Sequence, residues 1–139
     1  MKLPKYLSVG NRVLDSKHNN LYSMINKVAH LIATRNMAAL LEAFDLLENC
    51  LCDYFSVEES IARAIDFDFT RHELAHRQLL GRYKQIKAEL IAKNGTWTKF
   101  EENGYIESMK SYLRWHIKED GKPLKAVLET HYYDFKLYD

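Results

Sequence analysis

Apolar residues recur along this chain at alternating steps of three and four, the spacing that gathers side chains on one face of an α-helix. After an extended arm with Asp15 as the predicted N-cap, His18, Leu21, Ile25, Val28 and Ile32 trace a first stripe, and this helix is expected to run to about Thr34. A second begins near Met37 and places Leu40, Phe44, Leu47, Leu51, Tyr54, Glu58, Ile61 and Ile65 on one face. The segment DFDFT reads as a loop. A third helix carries His72, His76, Leu79, Tyr83, Ile86 and Leu90 and continues to about Lys93, where Asn94-Gly95 supplies a stop. The fourth covers roughly Phe100 to Asp120, with Tyr105, Met109, Tyr112 and His116 on its seam and Glu119 and Asp120 one turn further on. Only five glycines and two prolines interrupt all of this. Four helices of about twenty residues with short connections predict an all-α fold, an up-down-up-down antiparallel four-helix bundle forming a single domain over residues 1–139.

Charge and cysteine usage narrow the function classes. Twenty basic residues against 19 acidic leave a net charge of +1, with no basic stripe to follow a phosphate backbone, so nucleic acid is not an expected partner. No apolar run is long enough to span a bilayer, and the start MKLPKYLSVGNRVLD lacks the apolar core of a secretory signal. Cys50 and Cys52 lie two apart on a predicted helix, where side chains diverge, which disfavours a disulfide between them. A soluble cytoplasmic protein with reduced thiols is the expectation. His30 and His131 fall off the seams and read as surface residues, and the aromatic tail HYYDFKLYD reads as packing on the bundle end or docking a partner.

The seams themselves carry the candidate chemistry. A lone His-x-x-x-His is compatible with one ring capping a helix and the other reaching solvent. Here His18, Glu58, His72, His76 and His116 place at least one polar intruder on the core face of every helix. An unpaired buried carboxylate costs several kcal/mol or protonates, so five separate exceptions form a poorer explanation than one shared site. If they converge, a cation cancels the carboxylate charge and fills the imidazole lone pairs. Imidazoles mixed with carboxylates, without thiolate, suit iron, manganese or zinc. A ferritin-like carboxylate site fits less well: Glu73-x-x-His76 is present, but Glu73 is turned about 100° from His72 and cannot share its seam.

The order His, Glu, His-x-x-x-His, His over four helices resembles hemerythrin-like oxygen-binding proteins of the bacteriohemerythrin type, over nearly the whole chain. SVGNRVLDSKHNNLYSMIN resembles the first-helix motif, YFSVEE the second, HELAH the third-helix ligand pair and WHIKED the fourth-helix histidine and aspartate. The resemblance implies that His72, His76 and His116 hold one iron, that Glu58 and Asp120 bridge to a second, and that His18 is the only histidine on that second ion. Two positions depart from the pattern. Tyr54 stands where the family has a histidine, and its phenol can ligate iron, donate a hydrogen bond to a bound ligand or fill space. The family's bridging aspartate lies five residues after the last histidine, and that position is Gly121.

What the resemblance implies is a non-haem protein with two iron ions, the second weakly held, that binds dioxygen or a related diatomic or peroxide ligand reversibly. A ligand-binding protein is expected more than an enzyme. Two alternatives stay open: an iron enzyme reducing peroxide or nitric oxide, and a bundle that has lost its metal and serves as an interaction module.

Overall fold

Asn11 opens the first helix. Its backbone is extended (φ −120°, ψ 121°) and its side-chain oxygen accepts from the Leu14 N–H at 3.0 Å, satisfying one of the donors that a helix start leaves unpaired. Asp15 is therefore not the cap. It sits in the first turn, where its carboxylate accepts from the Ser8 hydroxyl at 2.5 Å and the Val9 N–H at 3.0 Å and pins the incoming chain to the helix. The computed structural model describes residues 8–9 and 11–128, and the regular elements among them are all helical. Most of the expected arm and the aromatic tail with His131 lie outside the described residues.

Helix α1 spans Arg12–Thr34 and ends on Arg35 in the left-handed region (φ 58°). Asn36 caps α2, Met37–Ala64, by accepting from the Ala39 N–H. Helix α3 runs Thr70–Lys93 and stops at Asn94 (φ 46°) and Gly95 (φ 86°), the two residue types that most readily adopt positive φ. Thr98 and Glu101 form a reciprocal capping box that starts α4, Lys99–Trp115.

The helical path beyond Trp115 differs from the expected regular helix. The Gly121 N–H donates to the His116 carbonyl at 3.0 Å, five residues back, so His116–Asp120 form a π-helical turn before α5, Lys122–Leu128. Gly121 has an identifiable reason to be there. A Cβ at this position would meet the Ile117 carbonyl oxygen at 2.5 Å, so no side chain fits without moving backbone.

Helix α1 packs on α2 and α4, and α3 packs on α2 and α4. Their buried faces meet in one apolar core that includes Leu21, Ile25, Val28 and Ile32 of α1, Leu40, Phe44, Leu47 and Leu51 of α2, Leu79, Ile86 and Leu90 of α3, and Met109 and Leu113 of α4. Each such side chain contributes about 1.5–3 kcal/mol on leaving water, offset by the chain entropy lost in folding. At one end Arg35 donates to the Gly95 carbonyl at 2.7 Å and lies over the Trp97 ring, tying the α1–α2 turn to the α3–α4 loop. Cys50 and Cys52 are free thiols, His30 is exposed, and no helix among the described residues is long and apolar enough to cross a membrane.

Candidate metal centre

The polar intruders meet at the opposite end of the core from Trp97. Tyr54 and Glu58 are one turn apart on α2, His72 and His76 one turn apart at the start of α3, and His116 and Asp120 bracket the π-helical turn. Glu58, His72, His76, His116, Tyr54 and His18 are all buried, whereas Asp120 keeps 33 % of its side chain exposed at the rim.

Glu58 is the hub. Its Oε1 lies 3.0 Å from His76 Nε2 and 3.7 Å from His72 Nε2, the second distance being too long for a hydrogen bond. Its Oε2 accepts from the Tyr54 hydroxyl at 2.5 Å. The phenol has one proton, so its oxygen accepts from His116 Nε2, 3.0 Å away. His116 Nδ1 stands 3.3 Å from Asp120 Oδ2. Glu58, His76 and His116 each offer a ligand atom within 4.8 Å of the others, a buried group able to hold a metal ion. His72 adjoins this group through Glu58, and Asp120 through His116.

His18 lies on the far side of Tyr54, the two rings meeting edge-on with centroids 5.0 Å apart. Neither of its nitrogens has a hydrogen-bond partner, and His72 Nε2 has none. A buried polar atom left unpaired costs about 1–3 kcal/mol, and a cation would offset part of that cost by accepting the one lone pair that each neutral imidazole offers.

The electrostatics agree with a site built for positive charge. Burial pushes the Glu58 carboxyl up, but the His76 hydrogen bond and the charges of His116, His76 and His72 outweigh it and hold the group at about 2. Burial draws His18 down to about 4 against the opposing charge of Glu58, and burial likewise lowers His72, so their imidazoles are neutral and their lone pairs available. Burial raises the Tyr54 phenol well above its ordinary range, reinforced by the charge of Glu58.

Two supports escaped the reading of the seams. Phe55 stacks on His76 with centroids 4.0 Å apart and planes within 14°, and Phe69 stacks on His72 at 5.2 Å and 19°. Both phenylalanines neighbour seam positions rather than occupying them, and only their proximity in sequence to Tyr54 and His72 hinted at the role. The other is the π-helical turn, which sets how Asp120 faces His116. Compared with protein-family models, curated proteins and solved structures, the chain matches none.

Proposed function

We propose that this chain is a hemerythrin-like, cytoplasmic non-haem iron protein that binds dioxygen or a related small ligand reversibly, for storage, delivery or sensing. One observation carries the reading: Glu58, His72, His76 and His116, from three elements remote in sequence, converge on one buried carboxylate oxygen or its immediate neighbours, and the nitrogens of His18 and His72 beside them are unpaired. His72, His76, His116 and Glu58 would hold the first iron. Glu58, Asp120 and His18 would hold a weaker second one, with Tyr54 in the place of a further imidazole.

Contacts between the helices support the up-down-up-down antiparallel bundle. Lys17 near the start of α1 pairs with Asp53 late in α2, Lys87 late in α3 pairs with Asp45 early in α2, and the Tyr83 hydroxyl of α3 donates to the Met109 carbonyl of α4. Each pairing is what adjacent antiparallel helices with short turns produce.

Iron, when bound, supplies the electrons that a dioxygen ligand requires. The chain's own residues do the rest. Phe55 and Phe69 fix the ring planes of His76 and His72, the buried seam excludes bulk water, and Tyr54 holds a proton at Oη beside Glu58 and His116. The test is an anaerobic ferrous sample exposed to air. A new visible absorption with oxygen uptake, both reversed on deoxygenation, is expected, and an iron-loaded chain that takes up no oxygen sinks the reading. The same Tyr54 hydroxyl favours a second reading, an iron enzyme reducing peroxide or nitric oxide, and a turnover rate no faster than that of free iron eliminates it.

A further inference from the structure

A pocket of about 170 Å³ opens between the start of α3 and the π-helical turn. Phe67, Asp68, Arg71, His72, Glu119 and Asp120 contribute to its wall. Two of these belong to the centre: His72, which is 3 % exposed and whose Nε2 has no hydrogen-bond partner, and Asp120, which touches His116. The remaining charges are uneven. Asp68, Glu119 and Asp120 face a single lining cation, Arg71, and Lys122, 3.9 Å from Glu119, does not line the pocket. Asp68 accepts from both the N–H and the hydroxyl of Thr70, which hold its carboxylate in place at the mouth.

A second opening reaches the centre. It lies between α3 and α4, measures about 50 Å³, and is lined in part by Gln78, Arg82, His116 and Asp120. Arg82 there is stacked over the Tyr112 ring, 4.7 Å from its centroid, and balances the single carboxylate. The larger cavity is thus the acidic one, and its wall includes an imidazole with an unpaired nitrogen.

We propose that the pocket between α3 and the π-helical turn is the loading port for the metal, in which Asp68, Glu119 and Asp120 draw in a divalent cation and pass it inward to His72. The proposal rests on the metal-centre reading above and adds the route and the charge selectivity. A mouth of this sign concentrates cations and slows anions, and the effect weakens as salt screens it.

The test mixes metal-free full-length chain with Co²⁺ alone in a stopped-flow instrument and follows both the uptake rate and the final Co²⁺ per chain. Asp68→Ser keeps an oxygen acceptor for Thr70 while removing the charge, and Arg71→Glu adds a charge that a helix first turn accommodates. At low ionic strength, Asp68→Ser is expected to slow uptake about fivefold and Arg71→Glu to speed it about fivefold, both effects fading at high salt and both variants reaching the unaltered chain's stoichiometry. Gln78→Glu, at the smaller cavity, is expected to leave the rate unchanged. Uptake rates indifferent to Asp68 and Arg71 with full stoichiometry overturn the port, as does a rate governed by Gln78→Glu. An unaltered chain that binds no Co²⁺ overturns the metal centre itself, and the lost stoichiometry tells that failure apart from a misplaced port.

Discussion

Tyr54→Phe removes one oxygen from the centre and leaves the ring that fills its core. In the metal-free chain that oxygen donates to Glu58 Oε2 at 2.5 Å and accepts from His116 Nε2 at 3.0 Å. Glu58 is 2 % exposed, so water does not replace the lost donor. A hydrogen bond to an ionised group contributes about 1.5–3 kcal/mol and a neutral one about 1 kcal/mol, and the phenylalanine variant recovers a fraction by having no hydroxyl to desolvate. The net expectation is a loss of about 3 kcal/mol. With a urea dependence of about 2 kcal/mol/M for a chain of this size, the unfolding midpoint should fall by about 1.5 M with the slope unchanged. The loss should shrink in metal-loaded protein, because a cation then carries part of the Glu58 charge that Tyr54 and His76 share in the metal-free chain. A midpoint within about 0.3 M of the unaltered protein would refute the reasoning, since Glu58 Oε2 would then have a donor other than Tyr54.

Metal-free protein should lose stability as pH falls from about 6.5 towards 4. His18 is held at about 4 when folded against its ordinary 6.5, so the unfolded chain binds the extra proton throughout that window. The His18 cost between pH 7 and pH 5 is about 2 kcal/mol, measurable by urea titration, and His18→Gln should remove it, leaving the loss that the lowered His72 contributes. The contribution of Glu58 is separable, being lost only between its ordinary 4.5 and about 2. Gly121→Ala should lower stability by about 1–3 kcal/mol in thermal unfolding, because its Cβ overlaps the Ile117 carbonyl oxygen, and an unchanged melting temperature would show that the turn relaxes freely.

The three-and-four spacing makes four helices legible because their buried faces keep that period over most of their length, and the ends at Thr34, Met37 and Lys93 coincide with residues whose capping or left-handed conformations have sequence signals. The sequence does not separate Asn11 from Asp15 as the cap because both residue types cap well, and only the tertiary pairing of Asp15 with Ser8 and Val9 decides between them. His18, Glu58, His72, His76 and His116 are legible as polar intruders on the seams, whereas Tyr54 is singled out only by the family resemblance. The π-helical turn is not legible, because an i→i+5 bond has no periodic signature in so short a segment; its trace is Gly121, whose meaning depends on the Ile117 carbonyl beside it. Nor could spacing report that one carboxylate oxygen of Glu58 faces imidazoles while the other faces a phenol. That asymmetry comes from side-chain rotamers packed in three dimensions.

The central claim is that these buried groups exist to hold iron, and elemental analysis of the freshly purified chain tests it most directly. The account calls for iron at about one to two ions per chain, the lower figure reflecting a weak second position beside Tyr54 and His18. A helical, cooperatively folded chain that carries no iron, and takes none up when ferrous iron is supplied without air, would contradict it.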